Sequence, residues 1–174
     1  NGSIYTKQLT DFLSEKNISF EKYTPYILEL NSLQKYDSII LSGRRKNDKK
    51  INEINSKIIN FSINNKKKLL GICYGAEILA LTLGGTIRKT KSIQKGNEII
   101  KILKNNLITK NSINVFESHA FEISKLPIML TTIGKSNNCK YEIIKHKENL
   151  IFGTQFHPEM SSDGNNLIEN FCSL

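Results

Sequence analysis

The sequence has no tryptophan, only three prolines and only three cysteines among 174 residues. So few cysteines exclude a disulfide framework. Cys73, Cys139 and Cys172 form an odd, scattered set, as expected of a protein kept in a reducing compartment. They also lack metal-ligand spacing, so no metal site is expected. Long apolar runs are missing as well. The longest stretch, Leu69 to Leu83, is interrupted by Glu77 and falls short of the ~18–20 residues needed to span a bilayer. With no signal-peptide pattern either, the expectation is a soluble, cytoplasmic protein without membrane attachment. The phosphate-binding pattern Gly-x-x-x-x-Gly-Lys is absent, so any ATP chemistry is expected on another chain. Acidic residues are outnumbered 16 to 25, giving a net charge of +9. The basic residues form short clusters, among them Arg44-Arg45-Lys46, Lys49-Lys50 and Lys66-Lys67-Lys68. No aromatics are interleaved with them, so a stacking surface for nucleic acid is not supported. Solvated faces, or docking to an acidic partner protein, account for them better.

What is present is organised around Gly71-Ile72-Cys73-Tyr74-Gly75-Ala76-Glu77. Leu69 to Ile72 reads as a buried strand, and Glu77 to Leu83 carries a helical pattern. Cys73 thus sits on the turn between them, with a glycine two residues away on each side. This is the design of the nucleophile elbow, in which small flanks permit a tight, strained turn that lifts a nucleophile above a sheet. The positive end of the helix dipole is expected to lower the thiol pKa. An inert buried cysteine is the competing reading.

Far downstream stands Gly153-Thr154-Gln155-Phe156-His157-Pro158-Glu159. Pro158 disfavours helix at His157 and holds it extended, so that His157 and Glu159, two residues apart, point the same way. A carboxylate bonded to the ring would set its tautomer. Nucleophile, base and base-orienter are the parts of a Cys-His-acid triad, for which Cys73, His157 and Glu159 are the candidates.

Between these motifs the pattern is α/β. Helices are expected over Tyr5 to Lys16, with Ser3 as N-cap, and from Ile51 to a stop at Asn64-Asn65. Leu30 to Tyr36 reads as a connector. Strands are expected at Ile18–Tyr23 and Asp37–Leu41, and Gly84-Gly85 ends the helix after the elbow. This alternation predicts a three-layer fold: a largely parallel central sheet flanked by helices, with ligands at the carboxyl ends of its strands. Additional short antiparallel strands are expected in the second half, at Thr86–Arg88, Glu98–Leu103, Ile113–Phe116, Met129–Ile133, Tyr141–His146 and Ile151–Phe156. Gly164 to Phe171 reads as a closing helix. No linker or repeat stands out, so residues 1–174 are expected to form a single domain. His146, between two lysines, reads as part of a solvated turn.

The two motifs together resemble those of the class I glutamine amidotransferases, over nearly the whole chain. The resemblance implies that Cys73, His157 and Glu159 hydrolyse L-glutamine to glutamate and ammonia. It also implies a buried first strand, here expected to be missing before residue 1. The backbone N–H of Tyr74 is one expected oxyanion donor. The second would come from the loop Ser42-Gly43-Arg44-Arg45, where Arg44 replaces a glycine of the family. Gly43, Glu77, Ser118 and His119 match substrate-binding positions, although the family commonly has glutamine at the position of Glu77. That carboxylate would accept from the substrate ammonium or simply favour the helix start. For His119, a structural or partner-facing role is at least as apt as a catalytic one. Phe116-Glu117-Ser118-His119 with Leu126-Pro127, and Cys139-Lys140-Tyr141-Glu142-Ile143, are most similar to the glutaminase subunits of GMP synthases. This implies a separate ATP-dependent synthetase partner, with ATP and Mg on that partner and no cofactor in this chain. Anthranilate and aminodeoxychorismate synthase glutaminases are the nearest alternatives. A stand-alone γ-glutamyl hydrolase and a non-catalytic relative are the others.

Overall fold

Leu69 and Leu70 adjoin in sequence but enter different cores, because successive side chains of a strand point to opposite faces. The computed structural model describes all residues from Asn1 to Leu174. Its seven-stranded sheet runs β1-β2-β7-β6-β5-β3-β4. The strands are β1 (Ser38–Leu41), β2 (Lys68–Ile72), β3 (Thr86–Ile102), β4 (Ile113–Lys125), β5 (Leu130–Lys135), β6 (Ile143–His146) and β7 (Ile151–Thr154). On one face Leu70, Ile72 and Phe152 pack with Leu9, Phe12 and Leu13 of α1 (Thr6–Glu15) and with Leu167, Ile168 and Phe171 of α4 (Ser162–Cys172). On the other, Leu69 and Ile151 pack with Ile58 and Ile59 of α2 (Lys49–Asn64) and with Ile78 and Leu79 of α3 (Tyr74–Thr82). These are the three layers of an α/β fold. Only β1–β2 and β2–β7 pair in parallel; the remaining pairs are antiparallel. The parallel part therefore lies at one end, and it is the part that carries Cys73 and His157.

Local signals explain most boundaries. Asp48 caps α2 by accepting from the Lys50 and Ile51 amides, and Ser161 caps α4 by accepting from Gly164. Gly84, at φ 92°, ends α3 in the left-handed conformation that glycine tolerates. Ser3 Oγ accepts from the Tyr5 amide ahead of α1.

Three expectations fail. Ile18–Tyr23 is not a strand: its alternation meets no partner ladder, and Ser19 to Lys22 stay exposed. Thr86–Arg88 and Glu98–Leu103 are parts of one long strand, β3, because β4 continues opposite them; the register shifts between Lys89 and Gln94. Its polar, lysine-rich middle conceals that continuity. His146 is not solvated either. It is buried on β6, where Nδ1 accepts from the Glu148 and Asn149 amides.

That bonding requires a neutral ring, and burial lowers the His146 pKa. A histidine with a lowered folded pKa contributes stability that is fully present above its unfolded value, ~6.5, and lost as pH falls through the folded value. The melting-temperature gap between wild type and His146→Ala should therefore be widest near pH 7.5 and narrow toward pH 5. A gap independent of pH would contradict this account. No helix is long and apolar enough to cross a membrane.

Candidate active site

Cys73 joins β2 to α3 with φ 52° and ψ −103°, a left-handed backbone rarely adopted by a residue with a side chain. Its amide donates to the Thr154 carbonyl at 2.7 Å, which ties the turn to the end of β7. The flanking glycines are there for space. A Cβ on Gly71 would lie 2.5 Å from the Gly75 carbonyl, and one on Gly75 would lie 2.3 Å from the Leu41 oxygen. The first turn of α3 thus rests directly on the backbones of β1 and β2. The Tyr74 N–H lowers the thiol pKa, as a helix start should, but burial first and the Glu77 charge second hold it well above the usual range. The expected depressed thiol is therefore not found. Glu77, Glu117 and Glu159 all oppose the thiolate, and the helix start does not outweigh them together with desolvation.

His157 follows β7 by three residues. Its Nδ1 is 2.9 Å from Glu159 Oε1, and both side chains are buried. The bond forms as expected, but by another route: His157 is extended, whereas Glu159 lies in a single 3-10 turn, Pro158–Met160. With Nδ1 committed to Glu159, Nε2 remains for proton transfer. The ring is held on several sides. Its amide donates to Phe116 O at 2.9 Å, and the Tyr5 ring packs edge-on with centroids 4.6 Å apart. A Cβ at Gly43 would stand 2.9 Å from its Cε1. Cys73 and His157 therefore belong to the carboxyl ends of neighbouring parallel strands.

The other expected residues divide. The Gly43-Arg44 loop follows β1, and the Arg44 backbone bridges to Gly2 without a positive φ, so arginine is not strained there. Its guanidinium lies 4.4 Å over the Tyr74 ring and 3.8 Å from Glu77 Oε2. Glu77 is buried one turn into α3; burial raises its pKa while Arg44 lowers it. Ser118 accepts from the Tyr5 hydroxyl at 3.1 Å. His119 Nδ1 bonds Phe121 O at 2.8 Å, and Nε2 lies 3.0 Å from Glu117 Oε2 as an ion-pair contact without hydrogen-bond geometry. Burial opposes its charge most, but Glu117, the Phe121 carbonyl and Glu77 together outweigh it and the pKa rises.

The sequence model for "Glutamine amidotransferase class-I" matches residues 1–173. The chain belongs to the class I glutamine amidotransferases. Over 181 residues this amidotransferase is 30% identical to one subunit of the glutamine-hydrolysing GMP synthase of Methanocaldococcus jannaschii, covering 100% of this chain and 94% of the relative. It is 31% identical over 180 residues to the GMP synthase of Thermosipho africanus, covering 99% of this chain but only 34% of that longer protein. Among solved structures, a provisionally assigned GMP synthase subunit from Thermoplasma acidophilum superposes with a TM-score of 0.88 at 27% identity, covering 99% of this chain and 89% of the other.

Sequence reasoning missed part of this amidotransferase's site. Tyr5, read only as a helix residue, packs on His157 and bonds Ser118. Glu142, just before β6, is buried; burial and the Glu117 charge push its carboxyl well above the usual carboxylate range. Gln155 is fully buried, its backbone amide donating to the Glu142 carbonyl at 2.8 Å. Tyr141–His146 reads as a short strand, and a strand sends part of its side chains into the interior. Nothing local showed that Glu142 occupies it.

Proposed function

We propose that this amidotransferase hydrolyses L-glutamine to glutamate and ammonia through Cys73, His157 and Glu159, and passes the ammonia to a separate ATP-dependent synthetase of the GMP synthase kind, in the cytoplasm. The observation that carries the reading is the buried His157–Glu159 bond at the end of β7, beside the strained Cys73 turn at the end of β2. Because the free thiol holds its proton, attack is coupled to proton transfer. His157 takes the thiol proton as sulfur attacks the side-chain amide carbon, then delivers it to the departing nitrogen. Glu159 orients the ring and stabilises the imidazolium. Water, deprotonated by His157, then cleaves the thioester to release glutamate and return the thiol. The Tyr74 N–H is the first oxyanion donor, with the Gly43-Arg44 loop supplying the second. Gly43, Glu77 and Ser118 line the substrate side.

The names of the relatives support the synthetase partner: one is a single subunit of a GMP synthase, and in the other the matching segment is a third of a longer synthase. ATP and Mg would bind the partner, and this single domain would work without a cofactor of its own. Ammonia release from glutamine should be measured with the protein alone and with an XMP-aminating synthetase, ATP and Mg. GMP formation that depends on glutamine is the expected result. Release without coupling would remove the partner from the proposal, and no release in either mixture would remove the glutaminase.

A further inference from the structure

The Arg44–Glu77 pair is unusual in its position. Glu77 lies one helical turn after Cys73, its amide donating to the Cys73 carbonyl at 3.0 Å, and it is 4% exposed. A carboxylate so close to a cysteine opposes thiolate formation, since two negative charges in a low-dielectric site repel. Of the charged groups around the thiol, Glu77 on α3 acts most strongly, followed by Glu117 on β4 and Glu159 after β7. Facing Glu77 itself are Arg44 after β1, His119 on β4, and Gln155 and His157 after β7. Arg44 is the permanent cation among these, and it is built in rather than merely nearby. Its Nη1 donates to Asn47 Oδ1 at 2.8 Å, and its guanidinium lies over the Tyr74 ring. The Tyr74 hydroxyl is in turn fixed by donating to Asn52 and accepting from Asn55.

We propose that Arg44 is a positioning residue for the nucleophile: held over Tyr74, it fixes the Glu77 carboxylate and offsets its negative charge beside Cys73. Arg44 and Glu77 then form one functional unit, in which either charge without the other changes the reactivity of the thiol. A position over a ring and beside a carboxylate suits arginine, because a planar guanidinium can lie on a ring and reach a carboxylate at its edge, which a lysine ammonium does not reproduce. The inference rests on Cys73 being the nucleophile. Its test uses alkylation of the thiol itself, which occurs whether or not the protein hydrolyses glutamine.

Iodoacetamide modification of Cys73, followed by mass spectrometry on the peptide that contains it, reports the thiolate fraction as a function of pH without glutamine present. Arg44→Gln should slow alkylation about tenfold at pH 7.5 and displace the midpoint upward by about one pH unit. Arg44→Lys should recover part of this, and Glu77→Gln should move the midpoint downward. Adding Arg44→Gln to Glu77→Gln should then have little further effect, because the charge to be offset is gone. An Arg44→Gln profile identical to wild type, with only the glutamine KM raised, would make Arg44 a substrate contact and overturn the proposal. An effect of the same size with and without Glu77 would overturn it too. The Glu77→Gln comparison is independent of Arg44 and remains decisive if Arg44→Gln fails to fold: a midpoint that does not move downward overturns the proposal by itself.

Discussion

Replacing Cys73 with alanine is expected to lower ammonia release from glutamine by roughly a thousandfold or more, with the fold intact. No other group replaces the sulfur. Cys139 is buried in the other half of the chain, and Cys172 lies at the end of α4. Alanine keeps a Cβ, so the left-handed strain at φ 52° is unchanged, and only one buried sulfur is lost. That loss is worth about 1 kcal/mol, or roughly 2–4 °C in melting temperature for a chain of this length. Steady-state ammonia assays beside a thermal melt separate the two effects. Retained hydrolysis in Cys73→Ala would exclude the assigned nucleophile. Lost hydrolysis with a collapsed melt would instead point to a structural cysteine.

Gly75→Ala should act mainly on the fold. The added methyl would sit 2.3 Å from the Leu41 carbonyl oxygen, closer than non-bonded atoms come, and a tight 3.2 Å from the Leu41 Cβ. Leu41 is the last residue of β1, so relief requires the strand or the first turn of α3 to move. Overpacking of this kind costs about 1–3 kcal/mol and sometimes more. A drop of roughly 5–10 °C in melting temperature is expected. Activity should fall as well, because the displaced turn carries the Tyr74 amide. A melt within a degree of wild type would show that α3 can shift freely, and the account of the close contact would fail.

The elbow was legible because each of its parts has a local signature. An apolar run, a glycine on each side and an immediate helical pattern place Cys73 without any knowledge of its neighbours. His157-Pro158-Glu159 was legible for the same reason, although the proline makes a turn where extended chain was expected. Residues whose environment comes from distant segments were not legible. His146 lies between two lysines and is buried all the same, because β6 is an interior strand. Glu117 and Glu142 meet only when β4 and β6 come into the same sheet, so nothing near either residue announces two carboxyls brought together at that place. The thiol shows the same limit. The helix start argues for a depressed pKa, whereas burial and carboxylates from three parts of the chain argue the reverse. Ile18–Tyr23 errs in the opposite direction: its alternation is real, but a strand needs a partner.

The parallel pairing of β2 with β7 joins a strand from the first half of the chain to one near its end. Cys73 and His157 come to neighbouring strand ends only when that ladder closes, and β3 to β6 separate the two strands in sequence. Loop closure over so long an intervening segment makes this pairing costly and slow relative to local hairpins such as β3–β4. Recovery of turnover after dilution from denaturant would therefore report the last stage of assembly, long after the circular dichroism of the helices has returned.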